Sequence, residues 1–225
     1  MNKILGKIYV LGTPIGNMED ITLRGLNILR ECDLIISETP RTTLKLLNKY
    51  EIKKSVWQFF QNPKSDQIEA IYRNLSDGKN IVLVSEAGTP GIADPGGRII
   101  EEVLKLDPDV LIIPIPGPSA IISAISVSGL KSQEFMFLGF VPKTKRNKFY
   151  EKISNFDGLT IFYESPFRIR KTLKELSEKV TGKEKVVICR ELTKMFEETI
   201  RLDFKDLGEK SQTINQKGEF TILIN

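Results

Sequence analysis

Histidine is absent from this chain of 225 residues, and that absence excludes more chemistry than any other feature of the composition. Hydrolases built on a Ser-His-Asp or Cys-His arrangement need an imidazole, and so do His-ligated zinc, iron and haem sites. Only two cysteines occur, Cys32 and Cys189, and each lies in a short apolar run. We therefore expect both to be small core residues rather than a disulfide or a metal pair.

Long apolar runs and a strong charge imbalance are also missing. No run reaches the roughly 18 residues of a membrane helix. Residues 1–7 are too charged for a signal peptide. Lysine and arginine number 33 against 29 acidic residues, so the formal net charge is only +4. We expect a cytoplasmic protein with no membrane partner, for which a phosphate-bearing or nucleic-acid partner is permitted but not required.

The first half of the chain alternates short apolar strands with helical stripes. The predicted strands lie at 7–11, 34–37, 81–85 and 110–113, and helical spacing follows each of the first three. Asp20 is the predicted cap of the first helix, and a polar loop is predicted over 38–42. This alternation indicates an open α/β sheet with parallel strands.

A proline-rich segment, 114–119, marks the predicted boundary between two domains, 1–115 and 116–225. The second half begins with a predicted helix of small residues and continues with a basic helix over 143–152. Its further predicted strands lie at 135–140, 159–163, 185–189, 197–202 and 220–224. The second domain is therefore expected to be mixed and richer in strands.

Three loops rich in glycine and proline, at 12–17, 86–97 and 116–119, follow predicted strands. Ligands of open α/β sheets bind outside the carboxyl ends of the strands, so we expect all three loops on one rim. The first loop has neither the G-x-G-x-x-G spacing nor a Walker A sequence. An ordinary βα turn is an equal alternative for it.

The second and third loops carry candidate ligand-binding groups. Glu86 and Asp94 could accept hydrogen bonds from a ribose, an amine or an ammonium group, although Asp94 is also a candidate cap for the next helix. The amides of Ser119 and Ala120 could hold a polar ligand edge, with helix capping by Ser119 as the alternative.

Taken together and in order, these motifs resemble the ribosomal RNA small subunit methyltransferase I family of the tetrapyrrole-methylase-like superfamily. The strings that carry the resemblance are YVLGTPIGN at 9–17, SEAGTPGIADPG at 85–96, IPGPSA at 115–120, FYESP at 162–166, RELTK at 190–194 and KGEF at 217–220. Each string is weak alone, and the full set spread over nearly the whole chain is strong.

The resemblance implies a two-domain α/β fold of the tetrapyrrole-methylase-like type (class III methyltransferase), with S-adenosylmethionine in the interdomain cleft. It implies an enzyme that methylates the ribose 2′-hydroxyl of a cytidine in the decoding region of 16S rRNA. Its implied partners are 16S rRNA or the small ribosomal subunit and a second copy in a homodimer, and no metal is expected. The positions expected to bind the cofactor are Leu11, Gly12, Thr13, Pro14, Ser85, Glu86, Ala87, Gly88, Thr89, Pro90, Gly91, Asp94, Pro116, Gly117, Ser119, Ala120, Tyr163 and Glu164.

Methylation of a ribose hydroxyl requires a base that removes its proton. In a chain without histidine, the candidate bases are a carboxylate, a lysine with a lowered pKa, or water. Glu38 follows the second predicted strand and Arg41 comes three residues later, so we predict both as catalytic residues on the substrate side. A surface ion pair between them is an equal alternative. The family usually has Glu-Asp-Thr-Arg here and His at the position of Phe167, so the chain departs from the pattern at Thr39, Pro40 and Phe167.

Positive charge is concentrated at 143–148, and Phe149 and Tyr150 come next. Such a run gives affinity for phosphates, although a solvated helix face is the alternative. The residues predicted to bind substrate are Asn17, Lys143, Lys145, Arg146, Arg168 and Arg190. Glu164 and Glu191 either face the ligand or pair with Arg168 and Arg190.

Two other functions remain open on the sequence. One is a tetrapyrrole-type small-molecule methylase on the same scaffold, and the other is a ligand- or RNA-binding module without enzymatic activity.

Overall fold

A computed structural model describes residues 5–60, 62–131 and 133–225. The chain divides into two compact units, one ending at Ser119 and the other beginning at Ala120. The division falls at the end of the proline-rich segment that carries the predicted boundary. No helix in the described ranges has the length and apolar character needed to cross a membrane.

The first unit alternates strands and helices around a parallel sheet. Its elements are β1 (Lys7–Leu11), α1 (Leu23–Glu31), β2 (Leu34–Ser37), α2 (Pro40–Lys49), β3 (Val56–Gln58), α3 (Ser65–Ser76), β4 (Ile81–Val84), α4 (Gly96–Leu106) and β5 (Leu111–Ile115). The strand order is β3-β2-β4-β1-β5, and every neighbouring pair is parallel. All of these strands therefore end at one edge, the carboxyl edge of the first sheet.

The central strand β4 shows why these residues form a buried parallel strand. All of its side chains are buried. Ile81 and Leu83 pack with apolar side chains of α3 and α4, while Val82 and Val84 pack with those of α1 and α2. Because successive side chains of a strand point to opposite faces, an unbroken apolar run is what a sheet covered by helices on both sides requires.

Two predictions about where helices begin in the first unit are wrong. The cap of α1 is Thr22 rather than Asp20, because Thr22 has extended backbone angles and its hydroxyl accepts the N–H of Gly25 at 3.0 Å. Asp20 instead ends a short 3-10 turn. The loop predicted over 38–42 is already helix from Pro40 onward, since the fixed φ of proline suits the first helical position.

The second unit holds a mixed sheet, as predicted. Its elements are α5 (Ala120–Ser128), β6 (Phe135–Phe140), α6 (Arg146–Asn155), β7 (Leu159–Glu164), α7 (Ile169–Lys179), β8 (Lys185–Arg190), β9 (Glu198–Asp203), α8 (Leu207–Lys210) and β10 (Phe220–Ile224). The strand order is β6-β7-β10-β8-β9. Only the β6–β7 pair is parallel among the paired strands of the described residues.

The ends of β6, β7 and β8 meet at one edge of this sheet. The two strands β7 and β8 both run antiparallel to β10, so they point in the same direction as each other and as β6. Phe220 at the start of β10 pairs with Glu164 at the end of β7 and with Arg190 at the end of β8. We call this the carboxyl edge of the second sheet.

Both cysteines are buried and free, which confirms their prediction as core residues. Burial raises the pKa of the Cys32 thiol to about 11 and also raises the pKa of Cys189. Both are therefore protonated at neutral pH and unreactive as nucleophiles.

Candidate functional site

The loops after β1 and β4 are joined by a reciprocal backbone bridge. The N–H of Thr13 donates to the carbonyl of Gly88 at 2.9 Å, and the N–H of Gly88 donates to the carbonyl of Thr13 at 3.0 Å. Gly88 has a φ of +78°, a backbone conformation that residues with a side chain rarely adopt. The loop 12–17 is therefore part of a larger structure rather than an isolated βα turn.

The loops after β1 and β5 approach each other at two glycines. A Cβ placed on Gly117 would lie 2.5 Å from the carbonyl oxygen of Gly12, and one placed on Gly12 would lie 2.8 Å from the Cα of Gly117. The N–H of Gly12 also donates to the carbonyl of Ile115 at 3.1 Å. Both positions require glycine because each neighbour is backbone and cannot move aside as a flexible side chain can.

A third contact joins the loops after β4 and β5. The hydroxyl of Thr89 donates to the carbonyl of Pro118 at 3.2 Å, which joins the loop after β4 to the loop after β5. The buried hydroxyl of Ser85 donates to the carbonyl of Ala87 at 3.2 Å within the loop. We call residues 12–17, 85–97 and 116–119 together the glycine-loop assembly. It contains every predicted cofactor-binding residue of the first unit after Leu11, which is the last residue of β1.

Asp94 stabilises the part of the assembly that leads into α4. Its carboxylate accepts the N–H of Gly91 at 3.0 Å and the N–H of Gly96, the first residue of α4, at 2.8 Å. The N-cap position of α4 is Pro95, so Asp94 is not the cap residue itself, but its carboxylate binds the first N–H of the helix and closes the loop onto Gly91. Gly91 itself has a φ of +88°.

Carboxylates converge beside the assembly. Glu38 is half-buried just beyond β2, and the pKa of its carboxyl is raised by partial burial and by the negative charges of Asp94 and Glu86. Glu86 is exposed. The charges that act on Glu38 are these two acids rather than Arg41, so the ion-pair alternative for Glu38 and Arg41 is not supported. Negative charge gathered in this way favours a positively charged ligand.

The backbone around Glu38 is held by residues that the sequence did not single out. The hydroxyls of Ser37 and Thr43 share a buried hydrogen bond of 2.7 Å, and the N–H of Thr39 donates to Ser37 Oγ at 3.1 Å. The side chain of Gln58 donates to the carbonyl of Glu38 at 3.4 Å. A polar residue, Ser37, at the end of an otherwise apolar buried strand was the sequence feature that could have indicated this role. Arg41 lies on the exposed first turn of α2.

Arg146, predicted to bind RNA, is bound within the second unit. Its guanidinium lies 2.6 Å from the carboxylate of Glu175 and donates to Tyr150 Oη at 2.7 Å and Thr172 Oγ1 at 2.8 Å. Tyr150 Oη donates to the same carboxylate of Glu175 at 2.6 Å. Burial and the hydrogen bond to Glu175 raise the pKa of Tyr150. Burial alone would raise the pKa of Glu175, but the hydrogen bonds from Tyr150 and Arg146 outweigh it and lower that pKa. An RNA contact by Arg146 stays a prediction, and the observed role is to join α6 to α7.

Glu164 and Arg168 form a pair, which was one of the two alternatives. Their charged groups are 2.7 Å apart, and Glu164 is buried. The carboxylate of Glu164 also accepts the hydroxyl of Thr172 and the N–H of Ser165, each at 2.6 Å. Arg168 donates to the carbonyl of Val141 at 2.9 Å. The cofactor role of Glu164 and the substrate role of Arg168 stay predictions.

Arg190 and Glu191 do not pair with each other. Arg190 binds Glu198 at 2.9 Å and the carbonyl of Lys217 at 3.1 Å, while Glu191 binds Lys194 at 2.9 Å. The alternative in which Glu191 pairs with Arg190 is therefore wrong, because β9 brings Glu198 opposite Arg190.

The other predicted residues lie on separate elements. Tyr163 packs edge-on against Phe137 and Phe140, and burial raises its pKa to about 12. Lys143 and Lys145 are exposed and precede α6, which begins later than the predicted basic helix. Ala120 is the first residue of α5. Asn17 accepts the N–H of Glu19 and so caps the 3-10 turn. Within the described ranges, no group of three acidic or cysteine side chains is placed to hold a metal.

Known proteins share the fold of this chain. A family model described as Tetrapyrrole (Corrin/Porphyrin) Methylases matches residues 7–208. The cobalamin biosynthetic enzyme cobalt precorrin-4 methyltransferase superimposes with a TM-score of 0.66 at 20% identity, over 97% of this chain and 94% of that chain. Uroporphyrin-III C-methyl transferase from Thermus thermophilus, complexed with S-adenosyl homocysteine, gives 0.65 at 14% identity, over 97% of both chains. At these identities the likeness establishes the fold alone.

Sequence relatives are more specific. A protein named Ribosomal RNA small subunit methyltransferase I from Thermotoga maritima is 39% identical over 98% of this chain and 99% of its own length. A protein of the same name from a Hydrogenobaculum species is 41% identical over 97% and 95%. The chain therefore belongs to the tetrapyrrole methylases and, among them, to the ribosomal RNA small subunit methyltransferase I family. This confirms the predicted fold class and the prediction of a methyltransferase.

Proposed function

We propose that the protein transfers a methyl group from S-adenosylmethionine to the ribose 2′-hydroxyl of a cytidine in small-subunit ribosomal RNA. It acts in the cytoplasm, as a homodimer, on 16S rRNA or the small ribosomal subunit. The observation that carries the proposal is the glycine-loop assembly with carboxylates beside it, in a chain whose relatives are named for ribosomal RNA methylation.

The residues present fit this cofactor in charge. A sulfonium and an ammonium group are cations, and Glu38, Glu86 and Asp94 gather negative charge at the rim. Gly12 and Gly117 allow the backbones of the loops after β1 and β5 to approach each other closely. When bound, the cofactor supplies an electrophilic methyl carbon, so the protein has to position and orient the partners.

The carboxylates divide into two roles. Asp94 already accepts two backbone N–H groups, so we assign it to holding the loop. Glu86 is exposed, and we assign it to accepting hydrogen bonds from the cofactor. This division follows from the bonds each carboxylate has already made.

Glu38 is the proposed base. Partial burial and neighbouring negative charge raise its pKa, and a more basic carboxylate is a better acceptor for the proton of a weakly acidic hydroxyl. Arg41, on the exposed first turn of α2, is proposed to hold the substrate phosphate. Orientation of the bound partners contributes up to about 7–11 kcal/mol.

The test is methyl transfer from radiolabelled S-adenosylmethionine to small subunits that lack the modification, followed by mapping of the label. Glu38→Gln is expected to lower transfer about 100-fold or more, a much larger effect than the loss of cofactor affinity that follows from its missing charge. Glu86→Gln is expected to weaken cofactor binding instead. Glu31→Gln, on the exposed end of α1, is the matched control and should behave as the parent.

Two results would overturn the proposal. Label transferred to a porphyrinoid but not to RNA would indicate a small-molecule methylase. Absence of cofactor binding in calorimetry would indicate a binding module without enzymatic activity.

A further inference from the structure

Phe167 is exposed to solvent at the carboxyl edge of the second sheet. It lies in the turn directly after β7, and 93% of its surface is exposed. Phe140, the last residue of β6, is 57% exposed at the same edge. An isolated exposed apolar side chain is ordinary on a protein surface. Two further features set Phe167 apart.

The first feature is that the turn carrying Phe167 is fixed on both sides. Arg168, the next residue, bonds Ser165 Oγ at 3.2 Å and the carbonyl of Val141 at 2.9 Å, and it pairs with the buried carboxylate of Glu164. The N–H of Arg168 also donates to the carbonyl of Ser165 at 3.1 Å. A side chain presented by a preorganised turn loses little freedom on binding.

The second feature is the charge around the turn. Segments 141–148 and 165–171 contain seven lysines and arginines between them and no acidic residue. Lys143 and Lys145 are exposed, and within the described part of the chain neither forms an ion pair. The segment that carries them is anchored, because Arg168 bonds the carbonyl of Val141 and Arg146 bonds the carbonyl of Pro142.

We propose that this edge binds an unpaired nucleotide of the RNA substrate, with the base stacked on Phe167 and the flanking phosphates at Lys143 and Lys145. The inference rests on the proposed function, since it takes RNA as the substrate. Aromatic rings stack on bases of every kind, and lysines give affinity for phosphates without reading sequence. A ring can stack on a base only where the base is unstacked, so the bound segment is single-stranded or splayed.

The same edge offers a matched control. Met195 and Phe196, in the loop after β8, are also exposed, at 90% and 67%. Their loop carries Glu191 and Glu197 around a single lysine, and Glu198 begins β9 directly after it. Phosphates are repelled by such a loop, so Phe196 should not contribute to RNA binding although it is an exposed phenylalanine of the same sheet edge.

The experiment measures binding of a short fluorescein-labelled single-stranded RNA, and of the same RNA annealed to its complement, by fluorescence anisotropy. Phe167→Ala is expected to weaken single-strand binding by roughly 5- to 150-fold, the range found for base–aromatic stacking. Phe167→Trp should retain the affinity, and Phe196→Ala should leave it unchanged. Because Phe167 is almost fully exposed, its replacement by alanine is expected to leave folding intact.

Salt titration separates stacking from charge. Lys143→Ala and Lys145→Ala should each lower the slope of log affinity against log salt by about 0.7, the value per phosphate of a single strand. Phe167→Ala should leave that slope unchanged. Equal losses for Phe167→Ala and Phe196→Ala, or equal loss on duplex and single strand, would overturn the inference.

Methyl transfer by the parent protein is measured in parallel. If the parent binds RNA through Phe167 but transfers no methyl group, the proposed function fails and this inference stands. If the parent transfers methyl groups and Phe167→Ala binds RNA as the parent does, the inference fails and the proposed function stands. A change in oligomeric state with unchanged RNA affinity in Phe167→Ala would show that the edge binds a second copy, and would also overturn it.

Discussion

Replacement of Gly117 by alanine tests whether the glycine-loop assembly is a single unit. The added Cβ would lie 2.5 Å from the carbonyl oxygen of Gly12, whereas such contacts essentially never fall below 3.0 Å. The loops after β1 and β5 would have to separate by at least the difference, about 0.5 Å. Forcing extra atoms into a packed site costs about 1–3 kcal/mol.

The expected result is a loss of both stability and cofactor affinity. Urea unfolding should show a free energy of unfolding lowered by about 1–3 kcal/mol. Calorimetry should show S-adenosylmethionine affinity lowered about tenfold or more, since 1.4 kcal/mol corresponds to tenfold. Gly97→Ala is the control, because its Cβ would meet its nearest atom at 3.6 Å, in ordinary contact. Gly97 also lies in the first turn of α4, where alanine suits the helix.

If Gly117→Ala binds the cofactor and unfolds as the parent does, the loops do not form a single unit. Equal impairment of Gly97→Ala would also contradict the prediction, since the effect would then follow from losing any glycine of these loops rather than from the contact with Gly12.

Three other variants probe the charges and bonds of the two units. Burial and nearby negative charge raise the pKa of Glu38, so its ionised form is disfavoured in the folded state. The protonated carboxyl therefore favours folding at a pH below the pKa of Glu38 in the unfolded chain, and this contribution is lost as the pH rises through its pKa in the folded protein. Glu38→Gln should therefore unfold at higher urea than the parent near neutral pH and not near pH 4, while its methyl transfer falls; an equal gain at both pH values would contradict this. Glu175→Ala removes the partner of a largely buried guanidinium and should cost about 3 kcal/mol in urea unfolding. Glu178→Ala, from an exposed pair of the same helix, should cost less than about 0.5 kcal/mol, and similar costs for both would argue against burial as the cause. Thr89→Val removes the hydrogen bond to Pro118 and should cost about 1 kcal/mol, with weaker cofactor binding by calorimetry; unchanged binding would show that this bond does not hold the loops in place.

The strands were predictable because their signal is local. The run Ile81 to Val84 is apolar at every position, and burial on both faces of a parallel sheet is the arrangement that suits it. The rim position of the three loops followed from the same local reading, since loops after parallel strands emerge at one edge. Helix starts were predicted less well. Thr22 and Asp20 are both good caps, and the choice depends on which backbone reaches extended angles in the folded chain.

The partners of charged side chains were the least predictable feature. Arg146 stands in a basic run that reads as a surface for phosphates, yet its guanidinium binds Glu175, Tyr150 and Thr172. Those partners come from the next helix and from its own, and only their packing together sets the distances. Lys143 and Lys145 of the same run precede the helix and are exposed.

Most of the strands and helices, the glycine and proline loops, the family and the exclusion of imidazole chemistry could be read from the sequence, because each depends on residues near one another in the chain or on composition. The short edge strand β3 and the short helix α8 were not predicted. The tertiary structure decided which loops touch and which charges are already bound. Gly12 and Gly117 must both be glycine only because β1 and β5 are neighbours in the sheet, which brings two distant backbones within contact. Close approach and ion pairing depend on distances in space, and those distances arise only when the strands are ordered and packed.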